Sequence, residues 1–245
     1  IEIPRVQYKL LDRILEVNKN VVVALFTGRP LAISELDEKA PAILNMWMPG
    51  TEAGNATANL IFGNANPSGK ITMTFPRSLG QVPIYYNALN TGRPKLPEDD
   101  FNRVRFTSSY LDSPNSPLYP FGYGLSYTEF EYSDLKLSAD TLTRGGKIIA
   151  SAKIKNVGKY KGKEAVQLYI HDLFGSVVRP VKELKGFEKI ELDVGEEKTV
   201  KFEITEETLK FWTKDMKFEA ENGKFDVFIG KSSSCTPFAT FELVD

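Results

Sequence analysis

The sequence has one histidine and one cysteine, two residue types that commonly carry out chemistry. The single histidine, His171, follows the apolar run 166–170, and no Ser or Cys nucleophile lies near it in a triad-like motif. The single cysteine, Cys235, excludes an internal disulfide and supplies too few thiolates for a Cys-based zinc site. We therefore expect neither a hydrolytic triad nor a metal site, and we interpret both residues as lying at strand ends.

Glu52 is the best-placed carboxylate for hydrolytic chemistry. Hydrolysis of a glycosidic bond normally requires two carboxylates, one to protonate the leaving oxygen and one to act as nucleophile or to activate water. Glu52 follows the apolar run 42–48 and opens a helical segment, and ligands of open α/β sheets gather at the carboxyl ends of strands. A Glu in the first turn also stabilises the helix dipole, so both interpretations stay open.

The segment around Glu52 also has glycines, as an anion-binding turn at a helix N-terminus would. It lacks the full dinucleotide fingerprint and the Lys-Ser/Thr pair of a P-loop. We interpret Gly50 and Gly54 as residues for a tight turn and close helix packing. Nucleotide binding remains an alternative that rests on this turn alone.

Aromatic side chains are concentrated in the same part of the sequence. Aromatic rings suit the apolar faces of sugars as well as ordinary packing, so the group predicts a wall beside a pocket, with packing as the alternative. These residues are Trp47, Tyr85, Tyr86, Tyr110, Tyr119 and Tyr123.

Strand and helix patterns alternate in the first half of the chain. Apolar residues at spacings of three and four predict a helix over 3–15, with Pro4 in its first turn. The apolar runs 21–27 and 42–48 predict strands covered on both faces, and a helix follows the second run up to Gly63. This order predicts an α/β fold with a mostly parallel sheet, to which the alternation of residues 71–75 adds a strand.

The pattern changes twice in the second half. Residues 81–120 are rich in Pro, Gly, Asn and aromatic residues, which predicts a long packed loop. Beyond residue 130 only alternating strand patterns occur, and about seven short strands predict an immunoglobulin-like or fibronectin-type β-sandwich. We therefore predict two domains, residues 1–127 and 128–245.

Composition excludes several partners. The formal net charge of −1 provides no basic field for nucleic acid, and no apolar run approaches the ~20 residues that a membrane helix needs. The sequence begins at Ile1 without Met, so we expect an internal cut that would hide any signal peptide.

Several strings resemble family 3 glycoside hydrolases of the β-glucosidase type, and together they extend over almost the whole chain. Residues 89–94, LNTGRP, look most like the bacterial periplasmic branch. The other strings are WMPGTEAGNA at 47–56, LIFG at 60–63, NPSGK at 66–70, FPRS at 75–78, QVPIYY at 81–86, PLYPFGYGLSYT at 117–128 and RPVKELKGFEK at 179–189.

The resemblance implies a parent enzyme in which an N-terminal barrel carries the nucleophilic Asp. It further implies that residues 1–127 complete an α/β sandwich domain, that the tail is a fibronectin type III-like domain, and that the acid/base Glu also lies upstream of residue 1. The implied mechanism is retaining and needs no metal or organic cofactor. This chain alone is then expected to be inactive, with an exposed sheet edge and uncovered apolar surface in its first domain.

The resemblance also implies supporting roles for some residues. At the predicted strand ends, Arg29 and Glu52 are expected to flank the acid/base loop, and Trp47, Tyr85 and Tyr110 are candidates for the substrate-site wall. The implied partners are a β-glucoside or oligosaccharide substrate and the barrel, in a periplasmic or secreted protein. The alternative is a non-catalytic carbohydrate-binding or adhesion module.

Overall fold

The computed structural model describes residues 1–96, 100–102 and 104–245. The first half forms a small α/β unit in which two parallel strands pair, Val22 with Ala42 and Leu25 with Asn45. Its elements are α1 (Arg5–Val17), β1 (Val22–Leu25), α2 (Ser34–Lys39), β2 (Ala42–Asn45) and α3 (Ala53–Ile61). The predicted order of α1, β1, β2 and α3 and the parallel pairing are confirmed, and α2, which lies between the two strands, was not predicted.

One face of α1 builds the core of this unit. Tyr8 and Leu11 lie one turn apart on that face and are buried, because spacings of three and four place side chains on the same side of a helix. Pro4 precedes the helix instead of lying within its first turn. The buried core residues are Ile3, Tyr8, Leu11, Leu25, Ile33, Leu36 and Phe75.

The strand predicted over residues 71–75 is wrong. This segment contacts residues 118–123 through only a few hydrogen bonds, and the structure shows one isolated bridge between Phe75 and Tyr119. Pro120 has no N–H to donate, and Gly122 has a φ of 81°, so a regular ladder cannot extend past this point. β1 and β2 are also shorter than predicted, since turns begin at Thr27 and at Trp47.

The predicted long loop is largely irregular where it is described. A short 3-10 helix, Leu79–Gln81, precedes it, and its regular pairing is limited to isolated bridges such as Pro94 with Ser108. Residues 97–99 and 103 of the predicted loop lie outside the described residues.

The second half is a β-sandwich of two sheets. Its elements are β3 (Phe130–Leu137), β4 (Thr141–Thr143), β5 (Lys147–Asn156), β6 (Gly162–Asp172), β7 (Glu183–Leu192), β8 (Glu197–Thr205), α4 (Glu206–Leu209), β9 (Phe211–Trp212), β10 (Phe218–Glu219), β11 (Gly223–Gly230) and β12 (Ala239–Val244). One sheet has the strand order β4-β12-β11-β6-β7 and the other β3-β5-β8, and β9 pairs with β10 as a separate ribbon.

The alternation read from the sequence matches the alternation of burial in β5. In β5, Ile148, Ala150, Ala152 and Ile154 are all buried, and their neighbours are more exposed. Residues i and i+2 of a strand face the same side of a sheet, so each strand contributes one apolar face to the core. The predicted β-sandwich is confirmed, and its two sheets contain eight strands.

No helix among the residues that the structure describes combines the length and the apolar character of a membrane span.

Candidate functional site

The carboxyl ends of β1 and β2 bring two turns together. The strands run parallel, so the segment after Leu25 and the segment after Asn45 leave the sheet at the same edge. A Cβ added to Gly28 would lie 2.8 Å from Cε of Met48, which means that the two turns are in contact. This edge is where open α/β sheets bind ligands.

Arg29 lies in the first of these turns. The Thr27 hydroxyl donates to the Arg29 carbonyl over 2.7 Å, and the Arg29 N–H donates back to Oγ1 of Thr27 over 3.3 Å. These bonds close a Thr turn directly after β1. The side chain of Arg29 is exposed, so it is free to reach a neighbouring group.

Trp47 begins the second turn in an unusual conformation. Its φ of 53° lies in the left-handed region, which costs a residue other than glycine about 1–2 kcal/mol. The indole packs against Phe75 at a centroid distance of 5.9 Å, and Phe75 packs in turn against Tyr119. This packing holds the left-handed turn in place.

Glu52 directly precedes α3 and is exposed. Its Oε2 accepts a hydrogen bond from Nδ2 of Asn55 over 2.7 Å. Gly50 has a φ of 72°, as the predicted turn requires, but a Cβ on Gly54 would meet nothing within 4 Å. The interpretation of Gly54 as a close-packing residue is therefore wrong for the residues that are described.

Asn45, the last residue of β2, places a buried amide at the same edge. Neither Nδ2 nor Oδ1 of its side chain has a hydrogen-bond partner within the described part of the chain. Buried amides are nearly always hydrogen-bonded. Residues 1–96, 100–102 and 104–245 provide no hydrogen-bond partner for this amide.

The predicted aromatic group separates into two clusters. Trp47, Phe75, Tyr119 and Tyr123 form one, in which the two tyrosine rings stack at 5.1 Å. Tyr86 belongs to another, on the sandwich.

The remaining two candidates lie apart from the strand ends in the contacts of the described residues. Tyr85 is exposed. The Tyr110 N–H donates a hydrogen bond to Oδ1 of the Asn115 side chain in the long loop. Arg29 and Trp47 therefore lie on neighbouring turns, while the hydrogen bonds and ring contacts given for Tyr85 and Tyr110 do not join them to that edge.

Comparisons with known proteins decide the family. The sequence model of the glycosyl hydrolase family 3 C-terminal domain matches residues 1–127, and that of a fibronectin type III-like domain matches residues 164–233. The chain belongs to glycosyl hydrolase family 3.

Individual family 3 proteins match nearly the whole chain. A periplasmic beta-glucosidase of Salmonella typhimurium is 51% identical over 244 residues, which are 100% of this chain and 32% of that protein. A putative beta-xylosidase of Formosa agariphila is 44% identical over 97% of this chain and 30% of its own length. The crystal structure of a beta-glucosidase from Listeria innocua in complex with glucose superposes with a TM-score of 0.93 at 46% identity, over 100% of this chain and 34% of that one. This chain thus spans about a third of the length of the relatives it matches.

The hydrolysis that characterises this family needs a carboxylic acid with a raised pKa beside a second carboxylate. Asp12 and Glu35 both contact Lys39, and hydrogen bonds from Arg5 and Lys39 lower the pKa of Glu35. That direction is the opposite of what a general acid needs.

Asp172 is the second carboxylate to consider. Burial raises the pKa of Asp172, while Arg179, 3.3 Å away, opposes that shift. Its side chain is buried in the sandwich, where a sugar has no access to it. Neither Asp172 nor the partly exposed carboxylates near Lys39 form the required pair.

One buried charged cluster was not found from the sequence. Nζ of Lys70 lies 3.1 Å from Oε2 of Glu164 and donates to the Gly124 carbonyl over 2.7 Å, while the Tyr132 hydroxyl donates to Oε1 of Glu164 over 3.0 Å. Burial and the Glu164 carboxylate raise the pKa of Tyr132 far above its usual value. This cluster joins the α/β part to the sandwich. The sequence carried one indication of this cluster. Glu164 is charged, and it lies two residues before Val166, on the side of the strand that faces the core.

Proposed function

We propose that this chain is the C-terminal part of a retaining β-glucosidase and that it supports, without performing, the hydrolysis of terminal β-D-glucosyl residues. The observation that carries the proposal is the likeness over the full chain to beta-glucosidases, at 51% identity and, in structure, at a TM-score of 0.93. Those proteins are about three times as long, so the catalytic carboxylates are assigned to residues outside 1–245.

Exposed apolar residues support the role of a scaffold. Val6, Leu10 and Val17 form an uncovered stripe on α1, and α3 has no buried residue. Uncovered apolar surface on this scale favours a covering partner. The proposed partner is the preceding part of the same protein, including the barrel. A separate carbohydrate-binding module would leave this surface without a role.

Arg29, Trp47 and Glu52 are proposed as supports of the active site. They lie at or next to the turns after β1 and β2, where an α/β domain places its ligands. Arg29 and Glu52 have exposed side chains that can orient a catalytic loop, and Trp47 is held by Phe75. Tyr85 and Tyr110 are proposed for the substrate-site wall through the long loop. We place the domain boundary at residues 127 and 128.

The periplasm is the proposed location, because a periplasmic beta-glucosidase is the relative quoted above at 51% identity. The identity to a putative beta-xylosidase makes the sugar the open part of the proposal. Glucosides and xylosides differ by one hydroxymethyl group, so the two activities are separated by rate and not by mechanism.

The test is hydrolysis by the full-length protein that contains this chain. We expect hydrolysis of an aryl β-glucoside, with an aryl β-xyloside as the competitor, and proton NMR should detect the β-anomer as the first product. A first product with inverted configuration, or no hydrolysis of either glycoside, contradicts the proposal. Replacing Glu52 by Ala should reduce turnover more than stability, and unchanged kinetic constants would exclude its supporting role.

A further inference from the structure

The outer face of β6 is buried, although a strand of a two-layer sandwich needs burial on its inner face only. Val166, Leu168 and Ile170 face the sandwich core. Gln167 and Tyr169 alternate with them and therefore face the other way, yet they are only 4% and 0% exposed. Another part of the chain must cover them.

The covering residues come from the two ends of the long loop. The ring of Tyr86 stacks on that of Phe121 at a centroid distance of 4.3 Å and meets Tyr169 edge-on at 5.9 Å. Residues 86 and 121 are thus in contact although the whole loop lies between them. We call the cluster of Tyr86, Phe121, Gln167 and Tyr169 the loop base.

Hydrogen bonds fix the second end of the loop to the sandwich. Nε2 of Gln167 donates to the Gly122 carbonyl over 3.1 Å and to the Lys231 carbonyl over 2.7 Å, while Oε1 accepts from the Tyr169 hydroxyl over 2.5 Å. The Ser233 N–H donates to the Phe121 carbonyl over 2.9 Å. The Tyr169 hydroxyl therefore sets which end of the Gln167 amide faces the loop.

Close approach at this end depends on a glycine. Gly122 has a φ of 81°, and an added Cβ would lie 2.0 Å from Oε1 of Gln167. No other residue type fits both the left-handed backbone and this distance without a shift. The Gln167 side chain therefore occupies the space that a side chain at position 122 would need.

A β-bulge between β6 and β7 lies where the sandwich contacts the end of the loop near Tyr86. The pairing of β6 with β7 shifts from Leu168 opposite Gly186 to Tyr169 opposite Leu184, so that one residue of β7 is unpaired. The Leu184 N–H donates to the Tyr86 hydroxyl over 3.3 Å, and the Val181 N–H donates to the Ala88 carbonyl over 2.9 Å. The bulge turns a backbone donor of β7 toward the loop.

We infer that the β-sandwich fixes the two ends of the loop between residues 86 and 121, and that Tyr169 is thereby a positioning residue for the substrate site. The loop carries Tyr110 and exposes Phe101 and Phe106, which are 78% and 79% exposed. A loop that presents aromatic rings to a substrate must be held firmly at its base, since each ring contributes only in the correct position. The link to the substrate rests on the proposed function, whereas the loop base does not.

The test uses two variants of the full-length protein and one control. Tyr86→Ala removes the stacked ring from a partly exposed position, where folding of the sandwich is not at stake, and Tyr169→Phe removes only the hydroxyl. The control is Phe225→Leu. Phe225 is about as buried as Tyr169, but its ring stacks on Phe241, away from the loop. Hydrogen exchange of amides 104–118 is compared with KM and kcat for an aryl β-glucoside.

We expect Tyr86→Ala to increase exchange in 104–118 about tenfold, as the loss of a stacked aromatic pair allows, and Tyr169→Phe to increase it less. Phe225→Leu should leave this exchange unchanged. KM should rise several-fold in the two loop-base variants with a smaller change in kcat, because the loop contributes binding and not chemistry.

The possible failures are distinguishable. Equal exchange in Tyr86→Ala and Phe225→Leu overturns the loop base. Faster exchange with unchanged KM and kcat overturns the assignment of the loop to the substrate site. A wild-type protein without glycosidase activity overturns the proposed function, and the exchange measurement still decides on the loop base.

Discussion

The two halves of this chain bury their apolar side chains to very different extents. The sandwich forms a continuous core from both of its sheets, with Ile154, Val166 and Leu243 among many buried residues. The α/β half, where described, has a much smaller core around Leu11 and Phe75, exposes much of α1 and buries no residue of α3. Helix and strand formation alone thus does not complete a domain. The two sheets of the sandwich cover each other's core faces, whereas the α/β half leaves much apolar surface exposed in the described part of the chain.

Truncation of a core residue in the sandwich should have the largest effect. Ile154 is buried in β5, and Ile154→Ala should lower the free energy of unfolding by about 4 kcal/mol, through lost burial and the cavity left behind. Guanidinium unfolding followed by circular dichroism measures this. Lys155→Ala, at the exposed next position, is the control and should change stability by less than about 0.5 kcal/mol. Similar losses for both variants would show that the sandwich core is not closed.

The second prediction concerns the joint between the two halves. Lys70 is 13% exposed and Glu164 is 2% exposed, so Glu164→Leu should leave a largely buried ammonium unpaired and lower the free energy of unfolding by about 3 kcal/mol. Adding Lys70→Met should restore most of this loss, since both charges are then absent. A double-mutant cycle on thermal or denaturant unfolding measures the coupling. If the double variant is as unstable as the sum of the single ones, the pair does not couple the halves.

The third prediction tests the uncovered helix face directly. Leu10 is 61% exposed and its neighbour Leu11 is 7% exposed. In this chain, Leu10→Ala should change the free energy of unfolding by less than about 0.5 kcal/mol, whereas Leu11→Ala should cost about 2 kcal/mol or more. In the full-length protein, Leu10→Ala should also become destabilising. An unchanged effect of Leu10→Ala in both proteins would mean that nothing covers this face.

The smallest effect should come from His171 in the sandwich. Burial lowers the pKa of His171 below its ordinary value of 6.5, Lys182 adds to this, and Asp226 opposes it. The folded chain therefore holds this proton more weakly than the unfolded chain does. Stability should fall as the pH is lowered from 7 through about 6.5, and His171→Gln should remove this part of the fall. Superimposable stability profiles between pH 7 and 5 for the two proteins would contradict the lowered pKa.

The sequence predicted the sandwich better than the α/β half for a physical reason. In β5 and β8 the alternation of apolar and polar residues is also the alternation of burial, because one face of each strand meets the core. Residues 71–75 carry the same alternation but form no strand, since Pro120 interrupts their partner segment. A local pattern does not contain that information.

Candidate site residues were predictable only where they follow regular elements. Arg29 and Trp47 follow predicted strands, and the structure places their turns side by side. The loop base and the Lys70–Glu164 pair join residues far apart in the sequence, so no spacing rule finds them. Two signals were available. Glu164 places a charge on the core-facing side of its strand, and Gln167 and Tyr169 interrupt an otherwise apolar run at positions that a sandwich would normally expose.

This chain and the rest of its proposed parent enzyme have different proposed roles: this chain supports the active site, and the rest supplies the catalytic carboxylates. The direct measurement is release of nitrophenol from p-nitrophenyl β-D-glucoside by equal amounts of the 245-residue chain and of the full-length protein. We predict steady turnover by the full-length protein and only background release by the chain, because the proposal assigns both catalytic carboxylates to residues outside 1–245. Turnover by the purified chain at a comparable rate would contradict the assignment of this chain as a support.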